Sequence, residues 1–184
     1  MKRALVVVLV ALVVVGTACS SGSSDDPVVV PVVGAGFVPL EPNPGPDTVS
    51  AGEGGIGGNL VTVDINVTDT NGIYAVAFDL NYVPSTANYV DFAEGSLLEQ
   101  GGHTPFYDVQ EPQSGHLVVV ATRQGSVPGV NAAGTDTVIS LTFEMIQEGG
   151  SLVSFDAFAL LDDQTLPQPI PNISWFGGSL TGTN

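Results

Sequence analysis

A chain of 184 residues with 23 glycines, 13 prolines and only 12% charged residues reads as one domain of ordinary size, long enough for a proper core, whose strands are joined by many turns. Nineteen acids face three bases, and two of those bases are Lys2 and Arg3, so a chain that loses its N-terminus sets nineteen acids against Arg123 alone and stands at −18. Such a surface repels phosphate backbones and excludes nucleic acid as a partner, and the main role of its acids is to keep an exported domain soluble.

Residues 1–19 read as an export signal: Lys2 and Arg3, an apolar run over 4–15, then Gly16, Thr17, Ala18 and Cys19. The run is too short to cross a bilayer comfortably and ends in small residues. Cys19, the only cysteine, stands where a bacterial lipoprotein signal carries its lipidated residue, although Gly16 replaces the branched apolar residue usual in that motif. Ordinary cleavage after Ala18 and a retained anchor are the alternatives. The expected location is therefore the cell envelope or surface, with the membrane touched through the lipid anchor alone. Without a second cysteine, the domain must hold together without disulfides.

Over 20–46, small polar residues and prolines at 27, 31, 39, 42, 44 and 46 predict a tether, partly polyproline-like, although 28–33 is apolar enough to pair as an edge strand. The folded domain is expected over 47–184.

NLVTVDINV (59–67) alternates β-branched core residues with Thr62, Asp64 and Asn66, which predicts a strand with one wet face. Asp69, Thr70, Asn71 and Gly72 then predict a hairpin or a tight corner. In the stretch that follows, Tyr74, Val76, Phe78, Leu80 and Tyr82 fall on one side of an extended chain, and Ala75, Ala77, Asp79 and Asn81 on the other. Val83 and Pro84 end that strand, because proline cannot donate to a ladder. Further strands are expected at 89–92, 104–109, 116–123 (HLVVVATR), 137–146 (TVISLTFEMI), 152–161 and 173–180. Eight or nine strands and no amphipathic helix predict an all-β sandwich.

Catalytic chemistry finds few convergent groups. His103 and His116 lack the spacing of a zinc site, and Ser96 and Ser114 lack a strand-to-helix elbow. Asp156, Asp162 and Asp163 have no glycine-centred calcium-loop pattern and read as a solvated turn. Asp79, Asp91, Glu94 and Glu99 are close in sequence, but the small domain offers no evident cleft for two-carboxylate glycosidase chemistry. Trp175, Phe176 and Tyr107 suit a sandwich core, with stacking on sugar rings as the alternative. No catalytic residue, cofactor or metal is expected.

In order, a valine-rich strand, FDLNYVP (78–84), an apolar strand, EGSLL (94–98), a strand opened by Ser114, Gly115 and His116, TVISLTFEM (137–145) and LLDDQ (160–164) resemble a cohesin domain over about 47–180. Tyr82 and Pro84 keep two members of a tyrosine, aspartate, proline motif found in that family. The resemblance implies a nine-stranded jelly-roll sandwich that works by binding another protein, a dockerin-like module whose calcium belongs to the partner, in polysaccharide degradation or cell-surface assembly. It places the partner surface on the outward side of the third, fifth, sixth and eighth strands, carried here by Ala75, Ala77, Asp79, Asn81, Val118 and Val120. Alanine at 75 and 77 removes polar contacts used by the best-known cohesin class, which brings the chain closer to the more apolar second class or to a cohesin-like domain whose partner is not a standard dockerin. The alternative is a carbohydrate-binding module of the same architecture, with polysaccharide as its ligand.

Overall fold

The computed structural model describes residues 34–184; Cys19, the expected export signal and the first part of the expected tether lie outside them. The described residues form eleven strands and no helix: β1 (Gly34–Pro39), β2 (Thr48–Gly57), β3 (Leu60–Thr68), β4 (Ala75–Asn81), β5 (Ala87–Glu94), β6 (Phe106–Gln113), β7 (His116–Thr122), β8 (Thr135–Met145), β9 (Gly149–Leu161), β10 (Ser174–Phe176) and β11 (Gly178–Thr183). They make one sheet in the order β1-β11-β9-β4-β7-β6 and a second in the order β10-β2-β3-β8-β5. All pairings are antiparallel except β10 with β2. This is the β-sandwich with jelly-roll topology that the sequence and its resemblance predict.

The period-2 patterns explain how the sheets close on each other. Strand β3 turns Val61, Val63, Ile65 and Val67 inward, and β8 does the same with Ile139, Leu141, Phe143 and Met145. From the facing sheet come Val76, Phe78 and Leu80 of β4 with Leu117, Val119 and Ala121 of β7, all in the same core. Burying a large aliphatic or aromatic side chain contributes about 1.5–3 kcal/mol, so these four strands carry much of the stability.

Three expectations need correction, and a fourth is narrowed. The domain begins before residue 47: β1, inside the predicted tether, pairs with β11 from Gly34 opposite Thr183 to Pro39 opposite Gly178. Of the two readings of Asp69–Gly72 the tight corner is the one that forms, because β3 and β4 belong to opposite sheets. The closing strand expected over 173–180 is two strands in different sheets. Between them, a Cβ at Gly177 would lie 2.0 Å from the Val153 carbonyl oxygen, so the crossing requires glycine. Tyr74, expected inside, precedes β4 and is partly exposed, its hydroxyl donating to the Gly125 carbonyl at 2.6 Å.

Candidate functional site: the outward face of the six-stranded sheet

The register of β6, β7, β4 and β9 lays the outward residues in rows. One row runs Phe106, Thr122, Ala75, Leu161, and the next Asp108, Val120, Ala77, Ala159. The third runs Gln110, Val118, Asp79, Asp156, and the fourth begins Gln113, His116, Asn81, Ser154. The centre is therefore small and aliphatic, and carboxylates lie around it. A bulge in β9 sets the third row, because the register shifts between Ala77 and Asp79. There Ala157 takes a left-handed φ of 44°, which absorbs an extra residue and keeps both Asp156 and Ala159 on the outward side.

Hydrogen bonds fix the lower end of this face. His116 Nε2 lies 3.4 Å from Asp79 Oδ2, and its Nδ1 is 2.9 Å from Asn81 Oδ1, so β7 is latched to β4 through side chains as well as the ladder. Tyr82 donates to the Glu111 carboxylate, which also accepts from Gly115 N at 3.0 Å, clamping the β6–β7 turn to the end of β4. Burial pushes the Tyr82 hydroxyl's pKa up, and the bond to Glu111 adds to it. Tyr89 is pushed up to about 12 by burial and then by Asp91 and Glu111. Tyr107 reaches about 12 through burial and then Glu94 and Glu99. These phenols stay neutral and act as donors or packing groups.

Of the six residues predicted for a partner surface, Ala77, Asp79, Asn81, Val118 and Val120 are brought together on this face and are partly exposed. Ala75 shares their parity but is only 7% exposed, so it drops out as a contact residue. Sequence reasoning missed Phe106, Asp108 and Gln110 on β6 and Asp156 and Ala159 on β9. Extending the outward parity across each neighbouring strand would have found those on β6; the bulge hides those on β9.

The other sequence candidates do not assemble into a site. Trp175 stacks on Phe158 with ring centroids 4.8 Å apart and presents an edge contact to Phe155 at 5.2 Å, so its ring is occupied within the protein. Tyr107 donates to the Gly95 carbonyl. Asp162 accepts from the backbone of Gln164 and Gln168, and Asp163 from Gly129 N, which joins the two loops beside Tyr74. The cavity of about 490 Å³ between those loops holds Asp163 as its one carboxylate. Among the described residues no group of three or more His, Cys, Asp or Glu side chains is arranged to hold a metal ion.

The cohesin domain profile matches residues 48–169, more than half of the chain. The chain belongs to the cohesin domain family. Solved cohesins share its fold. The type II cohesin dyad from the adaptor ScaA scaffoldin of Acetivibrio cellulolyticus superposes with a TM-score of 0.60 at 15% identity, over 74% of this chain and 48% of that one. The seventh ScaB type I cohesin from Pseudobacteroides cellulosolvens gives 0.54 at 14%, over 71% and 88%. A non-cellulosomal cohesin from the archaeon Archaeoglobus fulgidus gives 0.51 at 14%, over 65% and 78%. No curated protein sequence matches the chain. Cohesins of both types thus carry this sandwich.

Proposed function

We propose that this cohesin is a lipid-anchored docking module without catalysis of its own, which binds a dockerin-type module of another protein through the outward face of β4, β6, β7 and β9 and so takes part in assembly at the cell surface. The observation that carries this reading is the face itself: a strip of Val118, Val120, Ala77 and Ala159 bordered by carboxylates, the pattern of an apolar interface core within a polar rim. A cohesin of similar fold from Acetivibrio cellulolyticus is solved as a type II Cohesin-X-Dockerin complex, which supports the class of partner. Sugar binding through stacked rings lacks its main support, because Trp175 is committed to Phe158 and Phe155.

The test is binding to calcium-loaded dockerin modules by calorimetry, with a chelator control that unfolds the dockerin. Ala77→Arg puts a large charge where a partner must exclude water, so it is expected to weaken association by several kcal/mol, roughly the loss of a hot spot, while leaving the melting temperature nearly unchanged. Undiminished binding by that variant would place the interface elsewhere.

The anchor rests on the short apolar run that ends at Cys19. Cys19→Ser is expected to move the protein from the detergent-extracted membrane fraction to the aqueous one, since stable anchoring needs more than one acyl chain on that residue. Unchanged membrane retention would defeat it.

A further inference from the structure

A cavity of about 490 Å³ opens at the end of the six-stranded sheet, where the loop after β7 and the loop after β9 stand on either side of Tyr74. Its volume falls within the roughly 300–1,000 Å³ of small-molecule sites. Both walls are fixed from within the domain. Loop 123–129 is held by Tyr74, whose hydroxyl donates to the Gly125 carbonyl at 2.6 Å, and at its far end by the bridge between Ile73 and Val130. It also packs so closely on the β3–β4 corner that a Cβ at Gly129 would lie 2.6 Å from the Gly72 carbonyl oxygen. Loop 162–168 is closed by Asp162, whose carboxylate accepts from the amides of Gln164 and Gln168 and whose own amide donates to the Gln168 carbonyl. Asp163 then ties the two loops together by accepting from Gly129 N at 2.9 Å. Walls set by these contacts before a ligand arrives lose little conformational freedom when one binds.

The lining selects by chemistry. Tyr74 spends its hydroxyl on Gly125, so its ring serves the cavity as an apolar wall, continued by Pro128 and Pro167. Against that wall stand Ser126, Gln164 and Thr165, whose side chains make no hydrogen bond to another described residue, and Asp163, which keeps one carboxylate oxygen free of Gly129. Lysine, arginine and histidine are absent from the lining. An anionic ligand would meet a carboxylate and no counter-charge, which rules against phosphates and sugar acids. A quaternary amine is recognised by a cage of aromatic rings, and here there is a single ring. A neutral polyhydroxyl compound fits both halves of the lining. Each of its hydroxyls donates and accepts, as the amide, hydroxyl and carboxylate groups require, and the C–H face of a sugar ring packs on an aromatic one.

We propose that this cavity is a binding site for a neutral sugar unit, held with its C–H face on the Tyr74 ring and its hydroxyls on Asp163, Gln164, Ser126 and Thr165. The site does not depend on the docking reading. Tyr74 directly precedes Ala75, and the two loops continue from Thr122 and Leu161, so the cavity adjoins the first row of the docking face without sharing a residue with it. It also differs from a platform of stacked rings, for which Trp175 is not free.

The experiment uses the full chain in a detergent without a sugar head group. Glucose, galactose, N-acetylglucosamine and cellobiose serve as neutral probes, glucuronic acid as an anionic one and choline as a cationic one, with binding read by saturation-transfer NMR and calorimetry. Expected is binding of at least one neutral sugar at millimolar concentration, with glucuronic acid and choline silent. The Gln164 side chain is exposed and unbonded, so Gln164→Ala is expected to leave the melting curve unchanged and to weaken the sugar about three- to tenfold, the loss of one hydrogen bond. Asp163→Asn keeps an acceptor for Gly129 N and removes the charge, and it is expected to weaken the sugar about tenfold or more, as bonds to a charged group are stronger. Silence of all the neutral sugars would overturn the proposal. So would glucuronic acid or choline binding as tightly as any of them, or sugar binding unmoved by both Gln164→Ala and Asp163→Asn.

Discussion

Arg123, the only lysine or arginine among the described residues, acts as a buried hydrogen-bond donor. It is 3% exposed, and no carboxylate among the described residues pairs with it. Its Nη1 donates to the Leu98 carbonyl at 2.6 Å and to the Gln100 carbonyl at 3.0 Å, holding the turn after β5, while its Nε has no protein partner. Two effects oppose each other here. Desolvating a guanidinium is costly, and replacing buried charge with an apolar group is sometimes stabilising. Against that, hydrogen bonds from a charged donor each contribute about 1.5–3 kcal/mol, and truncation leaves the Leu98 carbonyl buried and unpaired. The bonds should prevail, so Arg123→Met is expected to destabilise by about 2 kcal/mol in a denaturant titration, with Arg123→Lys in between. Equal or greater stability of the methionine variant would mean that desolvation outweighs the bonds.

Among the elements, legibility followed side-chain bulk. Strands β3, β4, β7 and β8 announce themselves through alternating large apolar residues, and the face of β4 and β7 was assigned correctly except for Ala75. Strand β1 could not be read that way. Its sequence GAGFVP buries only Phe37, and its glycines are where they are because of a neighbour: a Cβ at Gly34 would lie 2.6 Å from Thr183 Oγ1, and one at Gly36 would lie 2.9 Å from Thr181 Oγ1. Threonines of the partner strand crowd the positions where bulk would have marked a strand, and the prolines around it suggest a tether. Strand β2 is hard to read for another reason: its half from Gly52 to Gly57 carries four glycines and is largely exposed. The bulge in β9 is equally silent, since Ala157 adopts its left-handed backbone without a glycine or asparagine to signal it. Hence Asp156 and Ala159 became visible as site residues only through the pairing with β4.

At the scale of the whole molecule, the acidic surface acts on folding through its own repulsion. Of the nineteen acids, all but Asp25 and Asp26 lie among the described residues, where one buried arginine is the only strong base. Self-repulsion among surface carboxylates disfavours the compact state, and it is exerted over a Debye length of about 10 Å at 0.1 M salt and about 3 Å at 1 M. Raising NaCl over that range should therefore stabilise the fold, by roughly 5 °C in melting temperature, which for a domain of this size corresponds to about 2 kcal/mol. Excluded osmolytes also stabilise folded proteins, so the control is an uncharged one such as sucrose. A melting temperature indifferent to NaCl, or a rise that sucrose reproduces at equal osmolality, would show that the carboxylates are too far apart or too well hydrated to strain the fold. In that case they serve solubility and the partner alone.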